Sequence, residues 1–198
     1  YNNEIRNALM NRRIDVDTKL SIFSTYIVGL MKKKQELNRV DSLFAEMLEQ
    51  YPQEEPVHRL FGMYLSSRKD FSRAEEQYAI AADLAPTNPE NWLQLIGLYL
   101  YQEKYAEVIR VGKRAIQYVP DQKDIYMYVA VASAQTKSYD EALSMLETGL
   151  NYVEENDAGT KSFFYGQMGD VYHSAGDREK SYEMYEKALS YNASNIPV

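Results

Sequence analysis

The sequence contains no cysteine, only two histidines, a single tryptophan and no apolar run long enough to cross a bilayer. Without cysteine there is no disulfide, no thiolate nucleophile and no thiolate metal site, and two histidines alone make a poor zinc ligand set. A membrane-spanning helix needs about 20 consecutive, mostly apolar residues, so membrane insertion is not expected. No secretory leader is visible. Absence of cysteine suits a cytoplasm and a periplasm alike, so the compartment stays open between the cytoplasm and, if an upstream signal was removed, the periplasm. Basic charge is scarce as well: 22 Lys and Arg against 29 Asp and Glu give a net charge of −7. Phosphate backbones are held by basic faces. Nucleic acid is therefore not the expected partner, and an anionic membrane surface is not either.

Catalytic patterns are missing too. His58 falls at an aromatic packing position and His173 follows a packing tyrosine, Tyr172, so neither has the setting of a general base. No glycine-rich phosphate loop occurs. The acidic pairs Glu75-Glu76 and Glu154-Glu155 read as solvated charge on outer faces or loops, and no serine has a His/Asp setting. The expectation is a non-enzymatic chain with no cofactor and no metal.

What is present is tyrosine, 18 of them, and a repeat. From Pro89 to Gln122 the residues Trp92, Leu95, Tyr99, Tyr105, Val108, Ala115 and Pro120 suit two short antiparallel helices joined by a tight turn. The series recurs at a spacing of 34. One copy earlier it is His58, Phe61, Gly62, Leu65, Phe71, Ala74, Tyr78, Ala81 and Pro86; one copy later it is Tyr126, Val129, Ala130, Tyr139, Ala142, Leu146, Gly149 and Leu150. Two copies earlier it is Ile27, Met31, Leu37, Val40, Phe44, Met47 and Pro52. After a five-residue insertion, Asp157 to Lys161, comes Tyr165, Met168, Gly169, Tyr172, Gly176, Asp177, Ser181, Tyr185 and Ala188. The expected repeats are 21–54, 55–88, 89–122, 123–156 and 162–195. Residues 1–20 form an N-terminal helix standing in for half of a preceding repeat. Residues 196–198 look like the start of a further helix, and the chain is expected to continue past Val198.

This pattern resembles the tetratricopeptide repeat (TPR) family, whose period is 34 and whose motif runs aromatic, Leu-Gly, Tyr, Ala, aromatic, Ala, Pro. The resemblance covers residues 21–195. It implies an all-α fold: a right-handed superhelical α-solenoid of antiparallel helix pairs, five TPR-like repeats plus the N-terminal helix. No repeat buries its own apolar face, so stability comes from stacking. Departures fall at the small residue between paired helices, which is Gly62, Ala130 and Gly169 but Val28 and Ile96 in two copies, and at the terminal Pro, which becomes Glu154 and Ala193. Those interfaces are expected to be wider. Asn88-Pro89-Glu90 reads as a helix start, Ser138 with Glu141 as a capping box, Asp15 with Asp17, Asp70 and Asp177 as caps, and Asn156 to Thr160 as a flexible loop.

The resemblance also implies where binding occurs: a concave groove lined by the first helix of each repeat, holding an extended peptide or a partner helix. Helical spacing places Ile22, Thr25, Gly29, Lys32 and Lys33 on that face in the first repeat, and Arg59, Met63, Ser66 and Ser67 in the second. The third supplies Glu90, Leu93, Gly97, Leu100 and Tyr101. The fourth supplies Asp124, Met127, Val131, Ala134 and Gln135, and the fifth Phe163, Gly166, Asp170, His173 and Ser174. Lys33, Arg59, Met63, Leu93, Gly97, Leu100, Tyr101, Met127, Val131 and Gln135 are the expected partner-binding residues. The start of this face is basic, its middle apolar and its far end mildly acidic. Met and Tyr suit an apolar peptide segment or an amphipathic helix.

The family's clamp for acidic chaperone tails needs Lys and Asn at positions that here hold Thr25, Gly29, Leu60, Glu90 and Gln94, so it is disfavoured. The alternative function is a structural spacer or a sensor and assembly domain of a larger protein, acting through self-association as a homo-oligomer. An RNA-binding helical repeat is opposed by the charge and by the Leu/Met-lined face.

Overall fold

A computed structural model describes residues 2–32 and 38–191, and among these every element is α-helical. The chain divides into two compact units, 1–86 and 87–198.

The first unit holds α1 (Asn2–Met10), α2 (Val16–Lys32), α3 (Asn38–Gln50), α4 (Glu55–Ser67) and α5 (Phe71–Leu84). Its core is aromatic. Phe44 stacks on Phe61 with ring centroids 4.4 Å apart and tilts against Phe23 at 4.6 Å, with Tyr64 at 5.4 Å. α1 packs on α2 and α3, burying Leu9 completely. One buried residue was invisible to pattern reading: Lys19 is fully enclosed, with Nζ 2.5 Å from the Tyr51 hydroxyl and over its ring. A lysine buries its methylene stem readily when its ammonium finds an oxygen.

The first helix of this unit departs from the 34-residue frame. The buried residues of α2 (Lys19, Phe23, Tyr26, Ile27) each stand 38 places before their counterparts in α4 (Val57, Phe61, Tyr64, Leu65). The second helices keep the 34 spacing, with Val40, Phe44 and Met47 matching Ala74, Tyr78 and Ala81. Four more residues therefore separate the buried positions of α2 from those of α3 than separate those of α4 from those of α5. As a result α2 starts at Val16 rather than at 21, and Ser24 takes the small-residue position. Val28 and Met31, expected in the packing, are exposed instead.

The second unit holds α6 (Pro89–Tyr101), α7 (Tyr105–Ile116), α8 (Lys123–Gln135), α9 (Tyr139–Leu150), α10 (Ala158–Ala175) and α11 (Arg178–Tyr191). Each first helix packs on its own second helix, and α8 and α10 pack also on the second helix of the pair before. A stacked column repeats three times: Trp92 on Tyr118 at 6.0 Å, Tyr126 on Tyr152 at 5.5 Å and Tyr165 on Tyr191 at 5.6 Å. Arg114 and Lys187 close the first and third columns from above, at 5.2 and 4.9 Å from the ring centres. Burial, above all, pushes the Tyr126 hydroxyl up to about 12, and that hydroxyl donates to the Pro120 carbonyl at 2.8 Å.

Small residues decide how closely helices pair. A Cβ on Gly62 would stand 2.6 Å from two ring atoms of Tyr78, and one on Gly169 would collide with the ring of Tyr185. Where Ile96 replaces the glycine, α6 and α7 make a looser pairing than α4 with α5 or α10 with α11. The glycine of that repeat has moved to Gly112, where it admits Val129 of the following helix α8.

Capping follows the sequence in part. Asn88 accepts from the Glu90 N–H at 3.1 Å, Asp15 from Thr18 at 2.8 Å and Asp177 from Lys180 at 3.2 Å. Replacing Asn88 with alanine is expected to cost about 1 kcal/mol, read from urea unfolding followed by circular dichroism. Ser138 does not form a capping box and Asp70 makes no side-chain cap. Glu141, expected to reach back to Ser138, accepts instead from Ser133 Oγ at 2.9 Å and pairs with Lys113. The insertion is not a loop throughout. Asp157 accepts from Thr160 N–H at 2.9 Å and starts α10 at Ala158, so most of the added residues become an extra helical turn.

The turn within each of the four pairs from α4–α5 to α10–α11 contains a left-handed residue: Lys69, Glu103 and Lys137, 34 apart, then Gly176. Only the last pair uses the residue that adopts this conformation without strain. Residues 33–37 and 192–198, including Lys33 and the expected further helix start at 196–198, lie outside the described residues.

Candidate functional site

In the second unit α6, α8 and α10 lie side by side as the first helices of their pairs, with α7, α9 and α11 behind them. Period-3.6 geometry sends alternate stripes of each first helix to its partner and to the open side. On α6, Gly97 is exposed and a Cβ added there meets nothing within 4 Å. Tyr101 is 69% exposed, and Leu93 and Leu100 are half-buried. On α8, Val131 is half-buried and Gln135 exposed. Met127 is the exception. It is only 6% exposed and sits in the core with Phe164 and Met168 of α10.

Between α8 and α10 the open side deepens into a cleft of about 170 Å³. Val131, Ala134 and Gln135 form one wall, and Gln167, Asp170 and Ser174 form the other. Ala130, Leu146 and Val171 make the floor. Val131 and Gln135 were expected here, and so were Ala134, Asp170 and Ser174. Gln167 was not identified from the sequence. Its spacing of three from Asp170, to which its amide donates at 3.2 Å, was the available signal. Asp170 also accepts from the Tyr185 hydroxyl at 2.7 Å. Burial, and then the carboxylate beside it, raise the Tyr185 hydroxyl above its ordinary value, so it stays a donor at neutral pH. Asp170 forms no ion pair among the described residues.

The wall formed by α8 is held from behind. Lys113 on α7 and Ser133 on α8 both engage Glu141 on α9. The Lys113 ammonium, with help from Ser133, holds the Glu141 carboxyl below its ordinary 4.5. A depressed carboxyl contributes stability above the unfolded-state value that is lost as pH falls through the folded one. Acid unfolding should therefore begin below pH 4.5, and Lys113→Met should move its onset upward, as monitored by circular dichroism.

In the first unit the expected face is built differently. Met63 is 44% exposed, but Arg59 is half-buried and donates to Glu55 at 2.8 Å one turn earlier. No group of three or more metal-ligating side chains occurs among the described residues, and no described helix is long and apolar enough to cross a membrane.

The family model for the tetratricopeptide repeat matches residues 164–195, the pair α10–α11. The helix pairs of the chain share the fold of a tetratricopeptide-repeat protein. A TPR repeat-containing protein of Methanocaldococcus jannaschii, MJ1428, is 26% identical over 101 residues, which are 50% of this chain and 17% of that relative. The chain thus spans a small part of the relative it matches. Among solved structures, the TPR protein YrrB, described as having an unusual peptide-binding site, superposes with a TM-score of 0.64 at 17% identity, covering 88% of this chain and 87% of that one. The MamA protein gives 0.69 at 15% identity, covering 90% and 97%. BtubC from P. vanneervenii gives 0.68 at 18%, covering 99% and 89%. At these identities the likeness is one of fold.

Proposed function

We propose that the chain is a non-catalytic protein-interaction module that binds a peptide or partner helix along the first helices of its TPR pairs. The observation that carries this is the α8/α10 cleft, open between two first helices and continuous with the exposed surface of α8 at Gln135. The peptide-binding site of YrrB supports the same reading by analogy of fold. Exposed Tyr101 and half-buried Leu93 and Leu100 on α6 supply apolar contact area for the same ligand.

The test is affinity capture with the wild-type chain, an Ala134→Arg variant that fills the cleft, and a Tyr182→Ala variant on α11. A partner retained by wild type and Tyr182→Ala, and weakened tenfold or more by Ala134→Arg, supports groove binding. Equal retention by all three overturns it.

The alternative of assembly between copies draws on α11, where Tyr182 is 70% exposed and Leu189 also faces outward. If that alternative holds, sedimentation velocity shows a concentration-dependent oligomer that Tyr182→Ala disperses.

A further inference from the structure

The α8/α10 cleft has a chemistry more specific than peptide binding in general. Its floor and the inner part of its α8 wall are aliphatic, through Val131, Ala134 and Val171, its α10 wall is polar, and Asp170 is the only charged group that lines it. The Asp170 carboxylate is fixed in place, with Oδ1 accepting from Tyr185 and Oδ2 from Gln167. Neither bond neutralises it, and a carboxylate keeps about two further acceptor sites when two are filled. The Gln135 amide at the mouth is exposed and makes no hydrogen bond among the described residues. A cleft with an aliphatic floor on one side and an oriented carboxylate without an ion pair on the other complements a side chain with an aliphatic stem and a cationic head. The volume, equal to roughly six waters at about 30 Å³ each, admits one such side chain. A divalent cation fits poorly, since calcium takes six to eight oxygen ligands and only one carboxylate is present.

We infer that this cleft is a recognition pocket for a single lysine or arginine side chain of the bound peptide, with Asp170 as its counter-ion and Tyr185 as the residue that orients Asp170. The inference rests on the groove-binding reading and assigns its ligand one required feature.

The test uses amide-resolved NMR titration of the 198-residue chain with three small probes: the Nα-acetyl methylamides of arginine, lysine and norleucine. The cationic probes should shift the amides of Ala134, Gln135, Asp170 and Ser174 saturably, and norleucine should bind at least tenfold more weakly. Asp170→Asn is isosteric and exposed, so its spectrum should remain folded while the tenfold preference disappears. Gln135→Lys, which places an ammonium at the mouth, should abolish binding of both cationic probes.

Equal response to norleucine, or a preference that survives Asp170→Asn, overturns the inference. The two readings fail separately. If the probes show no cation preference while Ala134→Arg still releases the captured partner, the pocket assignment is wrong and groove binding stands. If Ala134→Arg retains the partner, groove binding itself is wrong.

Discussion

Replacing Trp92 with alanine lowers the unfolding free energy by about 3–5 kcal/mol, the largest single effect expected in this chain. The indole is 1% exposed, stacks on Tyr118 and lies beneath the Arg114 guanidinium. Truncation removes its buried area, breaks the column and leaves a cavity that the surrounding helices fill only partly. The two sister columns show what the site tolerates, because Tyr126 and Tyr165 occupy the same position. Trp92→Tyr is therefore expected to cost about 1.5 kcal/mol or less. Urea unfolding followed by circular dichroism measures both. The fluorescence of the only tryptophan is lost in each, so it cannot serve as the probe. Stability in a repeat array is approximately a sum of local and nearest-neighbour contributions. Hydrogen exchange in Trp92→Ala should accordingly speed up first in α6 and α7. An alanine variant within 1 kcal/mol of wild type would show that the column is not a stabilising feature.

Gly62→Ala is expected to cost about 1 kcal/mol net even though alanine is the better helix former. The propensity gain is about 1 kcal/mol. Against it stands a methyl group 2.6 Å from the Tyr78 ring, which is itself buried and has little room to retreat. Overpacking of this kind costs about 1–3 kcal/mol, occasionally more. The fourth pair supplies the remedy, because Ala130 and Leu146 stand at the same two positions and both are buried. Tyr78→Leu alone should also destabilise, by leaving a cavity. Combined with Gly62→Ala it should cost less than the sum of the two single changes, with a coupling energy of about 1–2 kcal/mol. Strict additivity in that double-mutant cycle would refute direct contact as the reason for the glycine.

That cycle shows how the repeats vary. Gly62 with Tyr78, Ile96 with Gly112, Ala130 with Leu146 and Gly169 with Tyr185 place different volumes at corresponding positions. Read as departures from a motif, Ile96 implied only a wider interface. In the structure α6 and α7 are indeed paired more loosely, but Gly112 also gives its space to Val129 of the next pair. Composition at one position could not show this, because the compensating partner lies in another helix.

The helix pairs, the all-α class, the buried alternation of large and small side chains and the caps at Asn88 and Asp177 followed from the sequence. They depend on short-range rules: a 34-residue period, a 3.6-residue turn and a side-chain oxygen at a helix start. Tertiary structure decided the rest. The 34 spacing ran from α2 to α3 without registering four added residues, because spacing along the chain does not reveal where an insertion is absorbed. The buried set of α2 puts Ser24, not Val28, in register with Gly62. The insertion before α10 read as a loop because its residues are turn formers, yet Asp157 capped them into the helix. Met127, expected on the open face, is buried against Phe164 and Met168 of α10. The α8/α10 cleft with its oriented Asp170 depends on helices 39 residues apart in sequence coming side by side, and on Tyr185 reaching across from α11. Local rules specify helices and their faces; which side chains meet across those faces is set by packing density, and only the folded chain resolves it.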